Sequence, residues 1–117
     1  MTVMLETIVP PDKGLLDIEI KLTADIQISS DAARQSVSVF VGNQIADLLH
    51  GETPNLVLRE NGVYWRVPVT LSSKSLGRIG QVGSIDVDVA TGDLNITDQI
   101  ISEIEHHAQR FAVGAAL

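Results

Sequence analysis

The chain has 117 residues, a net charge of −7 at pH 7 with eight Lys and Arg, and no cysteine. That length is one domain with a real core, since chains of this size bury about two-thirds of their unfolded surface. The composition excludes a disulfide framework, a thiol nucleophile and a cysteine-ligated metal, and so few cations argue against a nucleic-acid partner.

No apolar run approaches the roughly 20 residues that span a bilayer. Met1–Lys13 has neither the basic nor the apolar region of an export signal. The expected address is therefore the cytoplasm, with no membrane partner. Aromatic residues are confined to Phe40, Tyr64, Trp65 and Phe111, so the core is built from Ile, Leu and Val.

Residues 1–14 read as an N-terminal arm, because Pro10, Pro11 and Gly14 stop regular structure. Residues 15–117 read as the α+β domain itself. From Asp17 to Ile28 the chain alternates without error. Asp17, Glu19, Lys21, Thr23, Asp25 and Gln27 fall on one side, and Ile18, Ile20, Leu22, Ala24, Ile26 and Ile28 on the other. Successive side chains of a strand point to opposite faces, so the run predicts a β-strand with one wet and one dry face.

Ser29, Ser30 and Asp31 then offer helix caps. Apolar residues at Ala33, Val37, Phe40, Val41, Ile45 and Leu48 keep helical spacing, and Gly51 stands where a C′ glycine belongs, so a helix is predicted over 31–50. Two hairpins follow. An Asn61-Gly62 turn pairs Leu58 with Trp65 and Leu56 with Val67, with Val57, Arg59, Tyr64 and Arg66 on the opposite face. A Thr91-Gly92 turn pairs Val89 with Leu94 and Val87 with Ile96. Between them, Ser72–Gln81 reads as a polar loop. Thr97 and Asp98 cap a last helix with its stripe at Ile101, Ile104, Ala108 and Phe111. The fold class is α+β, an antiparallel sheet of four to five strands with two helices packed on one face.

Motifs for chemistry fail on specific positions. Gly77-Arg78-Ile79-Gly80-Gln81-Val82-Gly83 leads into a strand rather than a helix N-terminus and lacks the Gly-Lys-Ser/Thr of a phosphate loop, so its glycines are read as turn and bulge residues. Counted from Asp86 as a calcium loop, the fifth, sixth and twelfth positions hold Ala90, Thr91 and Thr97 where a ligand, glycine and glutamate belong. Glu103 and His106 make one E-x-x-H spacing, with His107 beside it, where a di-iron site needs two such motifs and further glutamates. Ser72, Ser73 and Ser75 have no base at a recognisable spacing. No catalytic residue, cofactor or metal is assigned.

The residues that invite a partner are Arg59, Tyr64, Arg66, Asp86 and Asp88, all placed on the wet face of neighbouring strands. Tyr and Arg are favoured at protein interfaces. The bland account is that Tyr64 shields the sheet while Arg59 and Arg66 pair with the acidic strand.

The helix near Ala33–Leu49, the strand Val63-Tyr64-Trp65-Arg66-Val67-Pro68-Val69 and the turn Ile85-Asp86-Val87-Asp88-Val89-Ala90-Thr91-Gly92-Asp93-Leu94 together resemble the PepSY-type small α+β domain. An aromatic residue in an outgoing strand and a V-D-x-x-T-G turn are similar to that family's final hairpin. The match covers a little over half the chain. The resemblance implies a non-catalytic module that modulates partners, commonly outside the cytoplasm. The long alternating run and the last helix are additions to that pattern.

The expected function is thus a non-enzymatic interaction or regulatory module using a sheet face or strand edge. The rival is a small-molecule-binding protein or enzyme with its site near the 72–83 loop, using Lys74, Arg78 or the histidines. Fully extended, Asp17–Ile28 spans about 40 Å, against a usual strand near 20 Å. No glycine or proline bends it, so its excess is expected to pair with a second copy in a twofold dimer, with another protein as a further possible partner.

Overall fold

The computed structural model describes residues 3–6, 10–19, 21 and 23–115. Among them the order is β1 (Val3–Leu5), α1 (Ser30–Gln44), β2 (Leu49–Gly51), β3 (Asn55–Arg59), β4 (Gly62–Ser73), β5 (Gly77–Asp88), β6 (Leu94–Asn95) and α2 (Asp98–Gly114). The class is α+β. The sheet, however, is mixed and has six strands, ordered β1-β3-β4-β5-β6 with β2 also on β4.

The parallel pair comes from the stretch read as an arm without regular structure. Val3, Met4 and Leu5 pair in parallel with Leu56, Val57 and Leu58, and the Glu6 N–H extends the ladder to the Leu58 carbonyl at 3.2 Å. Three residues are too few to show a period, so this strand has no sequence signature.

α1 starts where its caps predict. The Ser29 hydroxyl accepts the Ala32 N–H at 3.1 Å, and Ala33, Val37 and Val41 are buried. It ends at Gln44 rather than near 50, and the chain turns back as β2. Gly51 serves a close approach instead of a helix end: a Cβ there would lie 2.8 Å from Val67 Cγ1 and 3.0 Å from the Arg34 carbonyl oxygen.

One row across the sheet explains how both helices share a face. Gly51 pairs with Val69, and Val69 pairs with Gly83, so the three positions point the same way. α1 rests over Gly51, and Ile104 of α2 rests over Gly83, where a Cβ would meet Ile104 Cγ1 at 2.8 Å. Gly80 receives Phe111 in the same manner, at 3.0 Å. Gly80 and Gly83 are thus helix-docking positions, and the β4–β5 register shifts fall beside them, at Val69/Thr70 and Leu71/Ser72. Trp65, Val67, Ile85, Val87 and Ile104 join Val37 and Val41 in one core cluster.

The expected 72–81 loop is the tip of a long hairpin: β4 runs to Ser73 and β5 begins at Gly77, whose φ of +70° is the left-handed conformation that suits glycine. Both predicted registers are displaced by two. Leu56 pairs with Trp65 and Leu58 with Val63, while Val87 pairs with Leu94 and Asp86 with Asn95. An even displacement leaves every residue on its predicted face, so Trp65 is buried (3% exposed) and its indole N–H donates to the Ile28 carbonyl at 2.7 Å. Pro68 sits where β4 passes from β3 to β2, where a missing N–H costs a ladder least.

The alternating run is the largest departure. Its described residues form no strand; Ile20 and Leu22 lie outside the described residues. Ile18 and Ile26 are 43% and 45% exposed. At its end the run meets the body, where the Gln27 and Ile28 N–H groups donate to the Val89 carbonyl at 2.9 and 3.0 Å. Alternation specifies two faces but supplies no neighbour, and the described residues of the run pair with no strand of the sheet. β1 occupies β3, while β5 carries β6 and has its Val82 and Gly83 carbonyls accepting from His107 Nδ1 (2.9 Å) and Gln81 Nε2 (3.2 Å).

Candidate functional site

Four of the five predicted partner-binding residues meet in one cluster on the helix-free face. Arg66 lies directly opposite Asp86, and Tyr64 opposite Asp88. Arg66 grips Asp86 with both forks of its guanidinium, Nε to Oδ1 at 2.8 Å and Nη2 to Oδ2 at 2.9 Å. Arg59 reaches over from β3, donating Nη1 to Asp86 Oδ2 at 3.2 Å while its guanidinium carbon lies 5.2 Å from the centre of the Tyr64 ring. Its cross-strand neighbour is Gly62, so no side chain blocks that path.

Asp88 does different work. Its carboxylate accepts the Ala90 and Thr91 N–H groups at 2.8 and 3.1 Å, shaping the turn that Gly92 closes with a φ of +79°.

Glu6 completes the cluster, and no feature of the sequence pointed to it. It follows the three-residue β1, and its carboxylate accepts from Arg66 Nη1 and lies 3.8 Å from Arg59 Nε. The Arg66 hydrogen bond holds the Glu6 carboxyl below its usual range against the opposing effect of partial burial, and the Arg66 and Arg59 charges add to it. Arg66 is correspondingly held more firmly protonated, chiefly by its hydrogen bonds to Asp86 and then Glu6.

Two guanidiniums therefore meet two carboxylates. The cluster is neutral, bidentate and nearly dry at Asp86, whose side chain is 8% exposed. This is the arrangement of a clasp that ties β1, β3, β4 and β5 together. A second clasp stands at the other end of β4: Glu52 accepts from the buried Thr70 hydroxyl at 2.6 Å and from Arg78 Nε at 3.0 Å. The Arg78 and Thr70 hydrogen bonds lower the Glu52 pKa in the same way.

Beside the first clasp a groove of about 540 Å³ runs between the sheet and α2, lined by Arg66, Ser84, Asp86, Glu103, Ile104 and His107 among others. It touches the 72–83 stretch at Val82 and Gly83; Lys74 and Arg78 are not part of it. Glu103 accepts from Gln99 Nε2 at 3.1 Å, and His107 is held by the Val82 carbonyl. Among the described residues no three His, Asp or Glu side chains gather as a metal ion requires. No helix among them is long and apolar enough to cross a membrane.

No protein-family model, curated protein or solved structure matches the chain. Its chemistry has to be read from its own residues.

Proposed function

We propose that the chain is a non-enzymatic interaction module that works through its N-terminal extended segment and strand edge, and that its first partner is a second copy, forming a twofold dimer. The observation that carries this reading is the exposure of the described apolar residues of the alternating run. Ile18 and Ile26 of the run are 43% and 45% exposed, and Leu16 just before it is 51% exposed. β1 adds Val3, Met4 and Leu5, which are also exposed. An apolar strand-like segment without a neighbour is the feature that natural sheets use for, or guard against, pairing with another chain. The predicted partner residues of the sheet face point away from themselves as the main contact, because Arg59, Arg66, Asp86 and Glu6 satisfy one another.

The implied role agrees with what the PepSY-type resemblance leads one to expect, a module that acts by binding. A small-molecule role is the second reading, favoured by the groove, whose volume lies in the range of ligand sites. It stands second because the arginines and acids lining the groove are already paired.

Size-exclusion chromatography with light scattering tests the proposal. At tens of micromolar the expected mass is twice the 12.6 kDa of one chain. Ile18→Asp with Ile26→Asp should return it to one chain whose unfolding midpoint no longer depends on protein concentration, since both side chains are exposed in the isolated fold. A wild-type chain that stays monomeric overturns the reading.

A further inference from the structure

Resting on that dimer reading, we propose that the two copies exchange β1, so that Glu6 of one copy completes the Arg59–Arg66–Asp86 clasp of the other. β1 is exposed along its whole length, as no other strand among the described residues is. It has three exposed residues, a parallel ladder along β3, and Glu6 as its one polar tie to the neighbouring face.

The chain that follows makes the exchange possible. Between Glu6 and Gln27 the described residues form neither helix nor strand and are exposed. Extended, residues 7–26 reach roughly 60 Å at 3.3 Å per residue, more than enough to carry β1 to a neighbouring copy. The contacts made in the exchanged and unexchanged forms are the same, so exchange costs little and closes under twofold symmetry.

What favours exchange is the tether itself. Docked on its own β3, β1 leaves the tether single, with Ile18 and Ile26 exposed. In an exchanged dimer two tethers cross at the twofold axis, antiparallel to one another. Centred on Thr23, that crossing sets Lys21 of each copy opposite Asp25 of the other, Thr23 opposite Thr23, and Glu19 opposite Gln27. The two Lys–Asp pairs are complementary, and no like charges face one another from 19 to 27. The apolar positions, Ile26 opposite Ile20 and Ala24 opposite Leu22, share the other side of the same ribbon. Lys21 is the single cation of the run, and it stands two residues from the centre, where a self-pairing segment has use for it.

Cysteine cross-linking decides the question, because the chain has no cysteine of its own. Leu5 and Leu58 are register partners, and neighbouring strands lie about 4.8 Å apart, within the Cα separation a disulfide bridges. A chain carrying Leu5→Cys is mixed with one carrying Leu58→Cys, unfolded in urea, refolded together and oxidised. The expected result is a disulfide-linked pair of chains on a non-reducing gel that neither chain gives alone. The chain carrying both cysteines should likewise link to a second copy. If that chain links only within itself while light scattering still reports a dimer, exchange is overturned and the dimer stands. A monomeric wild type overturns both. Should Leu58→Cys fail to fold, Val3→Cys with Leu56→Cys reads the same ladder.

Discussion

Replacing Asp86 by alanine removes the one anion that two arginines share. Its carboxylate receives three N–H groups, at 2.8 and 2.9 Å from Arg66 and 3.2 Å from Arg59, and the side chain is 8% exposed. Hydrogen bonds to charged groups contribute about 1.5–3 kcal/mol each, and removing one partner of a fully buried pair costs about 3–5 kcal/mol. Arg66 and Arg59 are 24% and 31% exposed, so both guanidiniums recover some hydration once the carboxylate is gone. The expected loss is therefore about 2–4 kcal/mol, a large share of an ordinary domain's stability. Urea unfolding followed by Trp65 emission measures it, and a double-mutant cycle apportions it. Asp86 with Arg66→Ala should couple by about 1.5–3 kcal/mol, because that contact is bidentate and drier. Asp86 with Arg59→Ala should couple by less than about 1 kcal/mol, as single, more exposed ion pairs do. An Asp86→Ala loss below about 0.5 kcal/mol, or stronger coupling to Arg59 than to Arg66, would refute the clasp.

Trp65 is the chain's single tryptophan and should emit as a buried indole until the protein unfolds; Trp65→Ala should cost about 3–5 kcal/mol, and a water-exposed native spectrum would refute its placement. Acid should loosen both clasps. Because the folded pKa of Glu6 and of Glu52 is lowered from 4.5, the unfolded chain binds protons first, so their contribution is present in full above pH 4.5 and is lost as the pH falls through the folded values. The urea midpoint should hold steady from pH 7 to about 5 and then drop. Glu6→Gln with Glu52→Gln should flatten that drop, and an equally steep one would disconnect these carboxylates from acid stability.

What the sequence carries best is the parity of a position rather than its neighbour. Trp65, Val67, Ile85 and Val87 lie on the helix side, with Tyr64, Arg66, Asp86 and Asp88 opposite, as the alternation demands. Yet each predicted hairpin is displaced by two residues, because a period of two is blind to a shift of two and burial rejects only odd slips. The turns had to supply the remaining information, and their chemistry was ambiguous. The first reversal falls at Glu60 and Asn61 instead of Asn61 and Gly62. In the second, the Asp88 carboxylate holds a longer turn that leaves Gly92 in the left-handed conformation.

The same blindness explains both the alternating run and Glu6. Alternation from Asp17 to Ile28 records a strand's two faces, but a strand also needs a free edge beside it, and edges are a property of the assembled sheet. β1 takes the edge of β3 with three residues too short to announce themselves, and in doing so brings Glu6 to Arg66 and Arg59. A cluster assembled from positions 6, 59, 66 and 86 has no spacing to recognise, since its geometry comes from a parallel ladder followed by two antiparallel ones. Its arginines and acids were legible one at a time, as wet-face residues that either greet a partner or satisfy each other. The outcome depended on Glu6, because with Asp86 alone two guanidiniums would share one carboxylate and leave a positive face for a partner. With Glu6 in place that face is neutral, while Ile18 and Ile26 stay exposed in the segment that links β1 to the rest of the fold. The strand that quiets the sheet face therefore also sets the exposed tether in place.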